Sequence, residues 1–184
     1  MEKYSKDFLN FLMEQENASF LRGKSPALHD SPEGGNPTVG FGHKLSDKEL
    51  KEGKVYGFDI YKMTPEQARV VMLKDLQKHE ASLASELGDD FNKLDQRRKE
   101  MLLDFQYNLG SVKRKFPKFT KAVIENDAET MNKEYKRFYE TKNGERLPLQ
   151  SRNEAFEETF LRPNKNVELA KRANIAKTFP EALM

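Results

Sequence analysis

With 184 residues and no cysteine, the chain has no disulfide, no thiol nucleophile and no thiolate metal site, and three scattered histidines point away from zinc. Hydrophobic residues make up 36% and charged residues 34%, and no apolar run approaches the length of a membrane span. The net charge of +2 hides a split: residues 1–110 hold 16 Lys+Arg against 19 Asp+Glu, and residues 111–184 hold 16 against 11. The basic second half reads either as a solvated face or as a surface drawn to an anionic polymer. No helix-turn-helix, zinc-finger or aromatic RNA-binding pattern accompanies it, so nucleic acid is not an expected partner.

In chain order, Tyr4, Phe8, Phe11 and Leu12 recur at helical spacing and predict an amphipathic helix over about 3–17. The acids and polar residues of "MEKYSKDFLNFLMEQEN" argue against a secretory signal. Glu14 and Glu16 fall at the expected C-terminal end of this helix, where acids oppose the macrodipole. At least one of them is therefore expected to serve another purpose. Residues 20–62 are broken by glycine and contain two alternating runs, "TVGFGH" and "VYGFDIYK", which read as a small antiparallel sheet. Between residues 29 and 45, "HDSPEGGNPTVGFGHKL" combines four glycines, two prolines, two histidines and two carboxylates. A turn is the first reading. Glycine on alternate strand positions also leaves one face bare for a ligand or another backbone.

"MTPEQA" is a clean helix start, with Thr64 as N-cap, Pro65 in the first turn and Gln67 completing a capping box. That helix is expected from about 65 to 87, stopping at Gly88. A second, in "KLDQRRKEMLLDFQYNLG", sets Leu94, Met101, Leu102 and Phe105 on a core face and ends at Gly110. Shorter helices are expected near 117–125, 128–139 and 148–160, with a turn at "KNGE", a stop at Pro163 and one more helix in the tail near 164–178. The fold class is α+β: an N-terminal helix and a small antiparallel sheet lobe, joined by a long helix to a mostly helical lobe. The whole of 1–184 reads as a single domain, with one lobe at about 18–64, the other at about 1–17 and 80–162, and a tail over 163–184.

"TVGFGHKL" resembles the Thr-Ile-Gly-Tyr-Gly-His signature of phage-type lysozymes. "MTPEQARVVMLKDLQKHE" resembles that family's connecting helix, "LLDFQYNLG" its Phe-Asn-x-Gly segment, and "SRNEAFEETF" its late arginine-bearing helix. The four segments follow in the family's order over roughly residues 8–162. The resemblance implies cleavage of the β-1,4 bond between N-acetylmuramic acid and N-acetylglucosamine in peptidoglycan, without cofactor or metal. It also implies a Glu at the first helix with an Asp and a Thr from the sheet.

Glu16, Asp30 and Thr38 are the residues that match. Glu16 to Asp30 is fourteen positions and Asp30 to Thr38 is eight, both longer than the family's usual spacing. Glu33 is therefore a rival for Asp30, and Glu14, on roughly the opposite helix face, a rival for Glu16. Chemistry fits these residue types: one protonated carboxyl serves the leaving oxygen, and a charged one, with the Thr38 hydroxyl, orients a water. Lys44, Gln106, Tyr107 and Asn108 are candidate substrate contacts. His43 is expected to tie the sheet to the neighbouring lobe. Arg152 matches the family's late arginine beside the acid, where its charge must be offset by burial or shared with Glu14. A monomer is expected, with access to the wall through a holin-type membrane lesion or by delivery on a virion. A lytic transglycosylase, a non-enzymatic wall-binding module and a basic nucleic-acid binder are the competing readings.

Overall fold

A computed structural model describes residues 3–21, 24–30, 36–141 and 143–162. The chain opens with α1 (Lys6–Leu21). Ser5 caps it, its hydroxyl accepting from the Phe8 N–H at 3.2 Å. The Ser5 N–H and O–H in turn donate to the buried Glu100 at 2.6 and 2.7 Å, pinning the helix start to a distant helix. Tyr4, Phe8, Phe11 and Leu12 are all buried, as their spacing requires. The helix does not end near residue 17. Residues 17–21 contain neither Gly nor Pro and include Ala18, so nothing in the sequence stops it. Glu16 therefore stands inside the helix rather than at its end.

Next come β1 (His29–Asp30), β2 (Pro37–Val39) and β3 (His43–Lys44), antiparallel in that order. "TVGFGH" is not one strand. Gly40 and Gly42 adopt φ of 56° and 88° and fold the chain back between β2 and β3, with the Leu45 N–H donating to the Pro37 carbonyl at 2.9 Å. Val39 and Phe41 are buried, the same alternation serving a turn. A short helix, α2 (Asp47–Glu52), follows where only strand and turn were expected; Ser46 and Glu49 form its capping box and Gly53 ends it. β4 (Lys54–Val55) and β5 (Phe58–Asp59) make a hairpin whose turn holds Tyr56 at φ 49° and Gly57 at φ 89°. A bulky residue at positive φ costs about 1–2 kcal/mol. Tyr56 is held there because its hydroxyl donates to Asp75 at 2.6 Å.

α3 (Pro65–Leu87) starts at the Thr64–Gln67 capping box and ends at Gly88, as read from the sequence. It buries Ala68, Val71, Met72, Leu76, Leu83 and Leu87. The sheet region docks on it at Ala68 and Asp75. A Cβ on Gly40 would come within 3.1 Å of the Ala68 Cβ, and His43 Nδ1 lies 2.7 Å from Asp75 Oδ2.

The remaining helices are α4 (Asp89–Lys93), α5 (Gln96–Leu109), α6 (Val112–Lys115), α7 (Pro117–Glu125) and α8 (Ala128–Glu134). Phe105 of α5 stacks on Phe119 at 4.4 Å and meets Phe116 and Phe156 edge-on at 5.0 and 5.3 Å. The helix expected to reach residue 139 stops at Glu134, and β6 (Phe138–Glu140) pairs instead with β7 (Arg146–Pro148) around the glycine turn. The cause is Arg137. Its N–H donates to the Asn153 side chain, and its carbonyl accepts from Asn153 Nδ2 and the Leu149 N–H, each at 2.9 Å, so its backbone cannot join a helix ladder. α9 (Gln150–Phe156) runs on into a π-helical turn over Glu157–Leu161, whose Thr159 and Phe160 carbonyls accept from Arg97. Residues 163–184, with the expected tail helix, lie outside the described residues.

The His43–Asp75 contact makes stability pH-dependent. Burial opposes the charge on His43, but the hydrogen bond and charge of Asp75, with Glu49 behind them, raise its pKa above 6.5. A raised folded-state pKa stabilises fully below about pH 6.5, and the contribution fades as pH rises through the folded value. Asp75→Asn keeps an acceptor for Tyr56 but removes the charge. The Tm gap between wild type and Asp75→Asn should be widest near about pH 5 and narrow steadily toward about pH 9. A gap constant over that range would show that the pair contributes no charge energy.

Candidate active site

Glu16 is reached from two directions, and a third element fixes one of them. From α9, Arg152 Nη1 donates to Glu16 Oε1 at 2.7 Å. From the β2–β3 turn, Gly42 lies so near that a Cβ on it would come within 3.2 Å of Glu16 Oε2. From α5, the Tyr107 hydroxyl donates to the Phe41 carbonyl at 2.9 Å, next to Gly42 in sequence. Burial, then the charge of Glu16, keep Tyr107 well above the usual phenol pKa, so it remains a donor. The Glu16 side chain retains 16% exposure, so its carboxyl is not sealed from solvent. Glu14, by contrast, is exposed and lines a separate surface hollow with Asp7, Arg97 and Arg162.

Arg152 does not share its charge with Glu14. Its other arm, Nη2, donates to Asp104 Oδ1 at 2.6 Å, and Asp104 Oδ2 lies 2.7 Å from Arg137 Nη1. Asp104 and Arg137 have no solvent exposure. Four charges of alternating sign thus run from the site into the core: Glu16, Arg152, Asp104, Arg137. Burial works against the Arg152 charge, but Asp104 and Glu16 outweigh it and raise its pKa. For Arg137, burial and the like charge of Arg152 prevail and lower it, against the pull of Asp104. The Arg137 guanidinium also lies over the Phe105 ring at 4.2 Å and near Phe156 at 5.1 Å, which offsets part of its desolvation.

In the sheet, Asp30 is exposed at the end of β1, opposite Pro37, and Thr38 is buried opposite His29. The ladder sets the two one position out of register, so Thr38 turns inward and Asp30 toward solvent. The Thr38 hydroxyl donates its proton to the Asn36 carbonyl at 2.9 Å and keeps its lone pairs as acceptors. Glu33 lies outside the described residues. Lys44 is exposed on β3. Gln106 is buried and committed to the fold: its carbonyl accepts from the Val112 N–H at 2.9 Å, and its amide faces Ser82 and Glu86. Asn108 is half-buried, and its Oδ1 has no hydrogen-bond partner among the described residues. His43, between Asp75 and Glu49, serves the sheet-to-helix attachment. No cluster of three metal-ligating side chains occurs among the described residues.

The phage lysozyme family model matches residues 22–155. The chain belongs to the phage lysozyme family. It is a glycoside hydrolase of the endolysin type, a muramidase whose substrate is bacterial peptidoglycan. The match begins beyond Glu16, so the place of that residue rests on geometry. Among solved structures, the chain is similar to an endolysin from Escherichia coli O157:H7 phage FAHEc1, at 20% identity and a TM-score of 0.56, over 86% of this chain and 90% of that one. It is also similar to a P22 lysozyme variant, at 20% identity and a TM-score of 0.55, over 88% and 100%. The muramidase domain of SpmX from Asticaccaulis excentricus aligns at 18% identity and a TM-score of 0.55, over 89% and 100%. These likenesses show a shared α+β lysozyme fold. No curated protein matches the sequence significantly.

Gly42 tests how closely the turn must approach Glu16. A methyl there meets Oε2 at 3.2 Å and forces an L residue to φ 88°. Gly42→Ala should cost about 1–2 kcal/mol in thermal stability. It should also reduce wall-lytic activity by more than that destabilisation explains. Unchanged activity in the folded variant would show that the turn and the carboxyl are not in working contact.

Proposed function

We propose that Glu16 is the general acid of this muramidase, with Asp30 and Thr38 handling the attacking water. The observation that carries the reading is Glu16 itself, a partly exposed carboxyl held between Arg152 and the Gly40–Gly42 turn. A proton on it passes to the glycosidic oxygen as the bond to the sugar breaks. Asp30, on the solvent side of β1, takes a proton from water; Thr38, which the ladder turns to the opposite face, comes to the same water when glycan binding shifts the β1–β2 ladder. Attack by water opposite the leaving group inverts the anomeric centre. That geometry calls for carboxyls about 6.5–9.5 Å apart once a glycan strand is bound. Lys44, Tyr107 and Asn108 stand as glycan contacts in the same reading, and the excess of Lys and Arg beyond residue 110 favours an acidic wall polymer. The enzyme works as a monomer and reaches the wall through a membrane lesion or on a virion. Among the described residues no helix is long and apolar enough to cross a membrane.

Glu16→Gln should fold normally and lose about 10²–10⁴-fold in activity, with Glu14→Gln as the near-neutral control. Retention of more than a small fraction of activity by Glu16→Gln would dismiss it as the acid. Asp30→Asn and Thr38→Val should each slow turnover in a way that Lys44→Ala does not. Mass spectra of digested peptidoglycan should show reducing ends; anhydro ends would make the enzyme a transglycosylase, with no water step. Proton NMR of the first product should show an inverted anomeric configuration, and a retained one would exclude the water attack. Bacteria expressing the chain alone should stay intact until their membrane is permeabilised.

A further inference from the structure

A general acid beside an arginine poses a difficulty, because a cation at 2.7 Å favours the deprotonated carboxylate that cannot donate. The structure holds an answer to it in two residues remote from the cleft. We infer that Asp104 and Arg137 are positioning residues that set the protonation of Glu16 by dividing the charge of Arg152. The inference rests on Glu16 being the proton donor.

Arg152 uses one arm for Glu16 and the other for Asp104, at 2.7 and 2.6 Å. Its single positive charge thus faces two carboxylates. Asp104 has no exposure, so solvent does not weaken its hold on the guanidinium, whereas Glu16 keeps a 16% opening to water. Arg137 moderates that hold from behind, as a second cation 2.7 Å from Asp104. The groups acting on Glu16 include Arg152 from α9, Arg137 from the segment before β6, Tyr107 from α5 and, through Arg152, Asp104 from α5. With both acids charged the row of four is neutral; protonating Glu16 leaves it at +1. Asp104 keeps that excess from rising to +2, and so makes the protonated donor accessible.

Two substitutions therefore move Glu16 in opposite directions. Asp104→Asn leaves Arg152 wholly to Glu16 and lowers the Glu16 pKa. Arg137→Met lets Asp104 engage Arg152 more fully and removes a cation, which raises it. Methionine suits the slot between Phe105 and Phe156, and Asp104 remains paired with Arg152, so Arg137→Met is expected to fold.

The test is a titration of the Glu16 carboxyl by carbon-13 NMR in wild type and both variants, alongside the pH profile of lysis. Shifts of about one pH unit are expected, downward for Asp104→Asn and upward for Arg137→Met. The alkaline limb of the activity profile should move with them, because only protonated Glu16 donates. A role confined to stability would lower the yield or Tm of both variants and leave the titration midpoint in place. Absence of a shift, or shifts of the same sign, overturns the inference. Should Asp104→Asn fail to fold, the upward shift in Arg137→Met decides alone. Activity surviving in Glu16→Gln would instead remove the proposed acid, whatever the titrations read.

Discussion

A carboxylate with no access to water requires cations around it, and Asp104 draws two arginines from well-separated parts of the chain into the core. Much of the helical region is arranged to meet that demand. Arg137 reaches Asp104 only because α8 ends early and the backbone at 137 is clamped by Asn153. Arg152 reaches it because α9 begins straight after the β6–β7 hairpin. Replacing such a cluster with apolar residues need not cost stability, whereas removing one partner typically costs about 3–5 kcal/mol. The cluster is therefore better understood as a device for specifying an arrangement than as a source of stability. The arrangement it specifies ends at Glu16.

The sheet region is attached by apolar residues that join the common core, Val39, Phe41, Val55 and Ile60 among them, and by a few polar contacts at its border with the helices. Asp75 accepts from both His43 and Tyr56, joining two separate hairpins to one residue of α3. Tyr107 holds the β2–β3 turn from the other side. Gly40 rests against Ala68 with no side chain between.

What the sequence disclosed followed local chemistry. The start and end of α3 were readable because Thr64, Pro65, Gln67 and Gly88 act through neighbouring backbone groups. The buried stripe of α1 was readable from its spacing. The end of α1 was placed too early because the apolar spacing that marked the helix stops short of it, though no Gly or Pro enforces an end there. The single strand read in "TVGFGH" is the end of β2, a tight turn and the start of β3, because period-two alternation is shared by strands and by a reversal with glycine at alternate places. The turn of the hairpin after α8 was readable at "KNGE", but the early end of α8 was not: it goes with Arg137 pairing with Asp104, thirty-three positions away. One hint was present. Asp104 sits between Leu103 and Phe105 on the core face of a helix, and an acid there must find a cation. Sequence alone named Arg152 as a partner for Glu16, but not the residue with which Arg152 is shared.

The two oxygens of the Glu16 carboxyl are not equivalent. Oε1 receives the N–H of Arg152, an oxygen engaged as an acceptor by a cation. A proton on this acid therefore belongs on Oε2, the oxygen that faces Gly42. Gly42 is exposed, so the path to that proton from solvent runs past a residue with no side chain. In the proposed mechanism the missing methyl is in this sense a binding surface, presented to Oε2 while Arg152 engages Oε1.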